Sequence, residues 1–169
     1  MNTLNLKLIG TARVNPTVLI DGKPAKLKKN EFGGFSCSYN TENSKAKVEI
    51  YKYLEISGKY WFLVQFFFFL ISILGIFNPR LDKKCIVLDC SFDIDLNETN
   101  NVTFKFNQLK DEGEAVTIEG DCNVDTISNS YFVDKQAKKR MKILRIAEIF
   151  TWVAVIAVVA IIGIMKING

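Results

Sequence analysis

Tyr60–Phe77 reads YWFLVQFFFFLISILGIF, and Ile146–Met165 reads IAEIFTWVAVIAVVAIIGIM. As a helix the second run is about 30 Å long, the thickness of a bilayer's hydrocarbon core, and the first, at about 27 Å, is at the short end of that range. Neither run holds Lys or Arg, and the one charge is Glu148, at the edge of the second. The expectation is a multi-pass protein of the cell membrane, with the lipid bilayer as its first partner.

Working outward, the rest of the 169 residues is polar enough to be globular, with 24% of the whole chain charged. There is no His, which removes the commonest general base and the commonest metal ligand together. Ser-His-Asp and Cys-His catalysis are excluded, and no other acid–base pair stands out, so a non-catalytic protein is expected. The four cysteines, Cys37, Cys85, Cys90 and Cys122, include no C-x-x-C pair. Their spacing does not suit zinc, and no metal or cofactor is expected. They read as buried reduced thiols of a cytosolic face; were these segments outside, Cys85, Cys90 and Cys122 would be disulfide candidates. The start, MNTLNLKLIG, lacks the pattern of a signal peptide. That and the compact length point to a bacterial chain.

Residues 1–59 alternate with period two: Leu4, Leu6 and Leu8 against Asn5 and Lys7. Val18-Leu19-Ile20 runs into Asp21-Gly22, a strong hairpin signal, and a two-residue turn there pairs Ile20 with Lys23 and Val18 with Ala25. A second hairpin is expected with Tyr39 opposite Ala46, Cys37 opposite Val48 and Phe35 opposite Ile50. Val14-Asn15-Pro16-Thr17-Val18-Leu19-Ile20-Asp21-Gly22-Lys23-Pro24 resembles the strand–turn–strand start of PEGA-type β-sandwich modules, which often carry a V-x-I-D-G core. The resemblance is confined to residues 1–59, and the Pro-Glu-Gly-Ala signature is absent. It implies a binding or spacer module near a bilayer and brings no catalytic residues.

Residues 78–132 repeat the alternation. Ile86, Leu88, Cys90, Phe92, Ile94 and Leu96 are apolar at even positions, and Val102, Phe104 and Phe106 continue on the next strand. A turn over Asn97–Asn101 sets Ile94 opposite Phe104, Phe92 opposite Phe106 and Asp93 opposite Lys105. Val116, Ile118 and Cys122 form a third strand. One face of this sheet is greasy and needs a lid, because three strands alone bury too little. The lid could be the N-terminal module, a second copy or a partner protein.

The fold class is therefore α+β. Residues 1–59 form an antiparallel, sandwich-like β module, and 60–77 the first transmembrane helix. Residues 78–132 form the second β module. Residues 133–165 form a basic juxtamembrane helix, capped by Asp134 and continuous with the second transmembrane helix, and 166–169 a tail. Two spans put the β modules on opposite sides of the membrane, and the positive-inside count favours a cytoplasmic middle segment. If 60–77 is instead re-entrant or packed against protein, both β segments meet on one side and cover each other as one sandwich. Hydropathy favours two spans, at roughly 4–8 kcal/mol for inserting the first run.

Lys135, Lys138, Lys139, Arg140, Lys142 and Arg145 are the candidates for binding anionic lipid or an acidic partner. The competing reading, and the favoured one, is that this cluster is a topology determinant with no specific ligand. No aromatic residues interleave with it, so nucleic acid is not expected. Gln65, Ser72 and Gly75 share one face of the first run, and Ala154, Ala157 and Ala160 one face of the second. These are the candidates for helix packing. Asp89, Asp93 and Asp95 read as solvated surface, and Glu148 as an interfacial carboxylate close to Arg145. The function expected is that of an interaction or accessory subunit of a membrane complex, whose exposed β faces are covered by a protein partner or in a homo-oligomer. The alternative is a transport-linked accessory or immunity-type protein acting through its bilayer helices.

Overall fold

The alternation at Leu4, Leu6 and Leu8 becomes strand β1 (Asn2–Ile9), in which these three leucines are buried and the odd residues are not. The computed structural model describes residues 1–11, 14–30, 33–71, 84–108 and 113–168, side chains of 69–71 and 168 excepted. They divide into two units, 1–53 with 86–133, and 54–85 with 134–169.

The first unit holds all ten strands. After β1 come β2 (Thr17–Ile20), β3 (Lys23–Pro24), β4 (Lys28–Lys29), β5 (Phe35–Thr41) and β6 (Lys45–Tyr51). They are followed by β7 (Ile86–Asp95), β8 (Thr99–Phe106), β9 (Val116–Gly120) and β10 (Val124–Val133). One sheet has the order β4-β5-β1-β8-β9, and the other β10-β7-β6-β2-β3. The Asp21-Gly22 turn forms as expected, with Ile20 opposite Lys23 and the Ala25 N–H donating 2.9 Å to Val18 O. Both turn residues have positive φ, 49° and 74°, the conformation a two-residue hairpin turn with the strands' own twist demands. The Asp21 carboxylate also accepts from Lys47 N at 2.9 Å and from the Tyr39 hydroxyl at 3.0 Å. The turn is thereby tied to a strand of each sheet.

The other two expected registers do not form. Tyr39 lies opposite Leu4, and Cys37 opposite Leu6, while Val48 and Ile50 pair with Phe92 and Cys90. The loops between β5 and β6 and between β7 and β8 cross from one sheet to the other. Phe92 does not pair with Phe106. It stacks across the core on Phe104, at a centroid distance of 5.0 Å. Asp93 sits between Lys47 and Asp125, and Lys105 pairs with Glu119 at 2.5 Å. Cys122 lies past the end of β9, and β10, which the alternation did not reveal, is one of the two longest strands. The reason is burial: paired in plane, each of these hairpins leaves its apolar face in water, whereas folded across the core the two strands cover each other.

Each sheet takes strands from both halves of the chain, and one cluster of buried residues joins them, including Leu4, Leu6 and Leu8 with Phe92, Ile94 and Phe104. The lid of the greasy face is the N-terminal segment. Phe92 and Phe104 have no exposed surface, so they are unavailable to a partner.

This interleaving overturns two spans with β modules on opposite sides. Tyr51 ends β6 and Ile86 begins β7, and these strands are antiparallel neighbours. The chain between them returns to the side it left. Helix α1 (Trp61–Ile71) has 11 residues, about 16 Å, and 72–77 fall outside the described residues. Among the described residues one helix is long and apolar enough to cross a membrane: α2 (Lys135–Asn168).

Asn129 closes one edge of the sandwich. On β10, its side-chain amide behaves as a strand's peptide would: Oδ1 accepts from Val116 N at 2.9 Å and Ala115 N at 3.1 Å, and Nδ2 donates to Val116 O at 2.8 Å. Truncation to Ala should orphan part-buried backbone groups at about 1–3 kcal/mol each. Phe104→Ala should cost about 3–5 kcal/mol through a core cavity. Urea denaturation in detergent measures both; equal midpoints for Asn129→Ala and wild type would remove Asn129 from the account of the edge.

Candidate functional site

The second unit is organised around the first turns of α2. Asp134 precedes the helix, and its Oδ1 accepts from Gln136 N and Ala137 N, both at 2.9 Å. This is the cap expected from the sequence. Its other oxygen accepts from Ser57 Oγ at 2.6 Å, in a 3-10 turn over Glu55–Ser57. Partial burial pushes the Asp134 carboxyl up, but the bonds from Ser57, Ala137 and Gln136 outweigh it and hold the group below its ordinary value.

One turn on, the Arg140 guanidinium donates to Ile56 O at 2.8 Å and to Gly58 O at 3.1 Å, and lies 5.3 Å from the Trp61 ring centroid. Ala137 and Met141 are buried on this side of the helix, as are Leu54 and Ile56 of the same unit. Arg140 is thus the fastener between α2 and the segment leading into α1, and differs in role from the other cations near it. Ser57 and Trp61 escaped sequence reasoning. A Ser and a Trp more than 70 residues from the helix carry no local signal of an attachment point.

At about 100° per residue, Lys135, Lys138, Lys139, Lys142 and Arg145 fall within an arc of about 120°. Arg140, Ala137, Met141 and Leu144 occupy the opposite side. All five cations are exposed, and none forms an ion pair among the described residues. The helix then continues apolar, with Ile149, Phe150, Val153, Ile156 and Val159 each between 59% and 71% exposed. Ala154, Ala157 and Ala160 are exposed too and meet no neighbouring helix among the described residues. Ser72 and Gly75 lie outside the described residues. Glu148 is half-buried and does not pair with Arg145, which sits on the cationic arc.

Helix α1 is inside out for a helix in water. Phe62, Leu63, Phe66 and Phe67 are 49–63% exposed, while Gln65 is 3% exposed. Among the described residues neither polar atom of the Gln65 amide has a hydrogen-bond partner.

Elsewhere the chemistry is quiet. Asp89, Asp93 and Asp95 lie on the outer face of β7, Asp95 paired with Lys45 at 2.9 Å. Among the described residues no group of three or more acidic or Cys side chains could hold a metal. Burial, then the charge of Asp89, push the Cys90 thiol up to about 12, so it is not a thiolate at neutral pH.

The cap carries a pH dependence. A carboxyl held down in the folded state stabilises above its unfolded value, about 3.9, and loses that contribution as pH falls through the folded value. Protection of the Gln136 and Ala137 amides, their exchange rate relative to the intrinsic rate at the same pH, should therefore be high at neutral pH and fall below about pH 4, and Asp134→Asn should flatten the profile. PH-independent protection in wild type would contradict this. No protein-family model matches the chain, and neither a curated protein nor a solved structure matches it.

Proposed function

We propose that this chain is a non-catalytic accessory subunit held at a membrane by α2, with its β-sandwich displayed on the cytoplasmic side. The observation that carries the reading is the sequence of surfaces along one helix. An exposed arc of five cations comes first, followed by an apolar stretch of mean hydropathy 2.4, of which 0% is buried. Water leaves such a stretch costly, and a bilayer makes it favourable. The cations then sit at the headgroups, where each is worth about 1 kcal/mol toward anionic lipid.

With one span, every Lys and Arg except Lys166 falls on one side of it, which orients that side to the cytoplasm. Helix α1, apolar outward, lies in the near leaflet beside the headgroups and does not cross. The resemblance of residues 14–24 to PEGA-type modules supports the same picture of a binding or spacer module near a bilayer. With its core closed, the sandwich offers a protein partner or a second copy its polar outer faces, one of them acidic with Asp89, Asp93 and Asp125.

Membrane fractions of cells expressing the full chain test the anchor. The protein should resist high salt and alkaline extraction and dissolve only in detergent. The double substitution Val155→Asp, Val158→Asp should release it, at about 2.5–3.5 kcal/mol per charge at the helix centre. Recovery of the wild-type chain in the supernatant without detergent would end this reading. In nanodiscs, each of Lys135→Gln, Lys138→Gln and Lys142→Gln should weaken the preference for phosphatidylglycerol over phosphatidylcholine about fivefold, the equivalent of about 1 kcal/mol. Arg140→Gln should instead loosen α2 from Trp61, read as increased Trp61 fluorescence quenching.

A further inference from the structure

The outer face of the β4-β5-β1-β8-β9 sheet carries a groove of about 730 Å³ that involves none of the residues discussed above as anchors. Its floor is a row of side chains in cross-strand register: Ser38 opposite Asn5 on β5 and β1, and Asn5 opposite Asn101 on β1 and β8. Ser38 Oγ donates to Asn5 Oδ1 at 2.8 Å, Asn5 Nδ2 donates to Asn101 Oδ1 at 3.2 Å, and Asn101 is held from beyond by Asp121 at 2.9 Å. Each amide keeps a further N–H and a further lone pair for a ligand. The row fixes the rotamers beforehand, so binding does not have to order them.

The rim is cationic. Lys26, Lys28 and Lys29 line the groove, with Lys7 on the floor side, and among the described residues no Asp or Glu lines it. Lys26, Lys28 and Lys29 are exposed and form no ion pair among the described residues. The volume suits a small ligand. Among the described residues no aromatic side chain lines the groove, and its described lining offers a nucleobase or a sugar ring no stacking platform. Lysines are point charges that suit phosphate without fixing its orientation, and a floor of amides and hydroxyls suits ligand hydroxyls.

We propose that this groove binds a phosphorylated polyol, its phosphates held by Lys26, Lys28 and Lys29 and its hydroxyls read by Ser38, Asn5 and Asn101. The ligand is free in solution or is the headgroup of a lipid, the chemistry being the same. The inference does not depend on the membrane reading, because the groove lies wholly in the sandwich.

The test uses the full chain in phosphatidylcholine nanodiscs. Titration with inositol trisphosphate should give saturable binding that weakens with salt and that uncharged inositol does not reproduce. Thr103 lines the groove on the outer face, beside Lys7, so bound ligand should slow alkylation of a Thr103→Cys variant at that position, read by peptide mass. The triple variant Lys26→Gln, Lys28→Gln, Lys29→Gln should lose at least about tenfold in affinity. Asn5→Ala should weaken inositol trisphosphate more than inorganic phosphate. Lys105→Gln, on the same face outside the groove, should bind as wild type. A second arm places a phosphoinositide in the nanodisc. Binding in either arm with protection of position 103 supports the proposal and names the source. Absence of binding in both arms, binding without protection of position 103, or a folded triple variant that binds as wild type would each overturn it. If that variant binds normally but self-associates, its lysines guard the β4 edge, and the proposal likewise fails.

Discussion

The parallel pairing of β1 with β8 is the constraint on which the rest of this structure depends. Leu6 lies beside Val102 and Leu8 beside Phe104, nearly a hundred residues away along the chain. That register stitches the first strand of the protein to a strand that follows the first apolar run. Once it exists, the described strands must all be on one side of any membrane, and the run between β6 and β7 cannot be a single crossing. A contact between strands in a water-facing sheet thereby decides how many times the chain threads a bilayer. Such a long-range parallel pairing is also entropically late, because a large loop must close before any of its hydrogen bonds form.

Alternation in the sequence told which face each strand buries, and it was correct at Leu4, Leu6, Leu8, Phe92, Ile94 and Phe104. It did not tell which strand lies beside which. Two strands in phase can pair in plane or stack through a core, and both choices bury the same residues. Phe92 and Phe104 are the clear case: in plane they would face Phe106 and Ile94, whereas across the core they stack on each other and both are covered. The Asp21-Gly22 turn was legible because two residues leave no length to cross between sheets. The polar loops after Tyr39 and after Leu96 were long enough to cross, and the burial of both faces required it. β10 was hidden for a different reason. Its alternation is broken by the bulge between Thr126 and Ser128, which puts Ile127 outward at 60% exposure, and its hydrogen bonds to β9 run through the amide of Asn129.

Counting apolar residues also misjudged the first run. Phe62, Phe66 and Phe67 are as oil-loving as any residues of α2, yet the run they belong to connects two antiparallel neighbours, β6 and β7. Composition measures the tendency to leave water; crossing is a separate requirement on where the chain's two ends are anchored. Both ends of this excursion are anchored in neighbouring strands. The polar residue Gln65 faces inward while Phe62, Phe66 and Phe67 face out, the arrangement expected of a helix whose surroundings are less polar than its own packing surface.

The same limit applies to the cationic cluster. Six basic residues within eleven positions were plain in the sequence, and at 100° per residue the arc of five was within reach of it. What sets Arg140 apart is a pair of carbonyls, Ile56 and Gly58, and the ring of Trp61, all from a segment about eighty residues earlier. A guanidinium suits that position because it can donate to two acceptors and stack on a ring at once, which an ammonium does less well. Its neighbours are lysines except for Arg145, and all five point away from the packed side. The division of labour follows from the chemistry of the two side chains: the planar cation fixes the helix to its own unit, and the compact, mobile cations are left to meet whatever anions the surroundings provide.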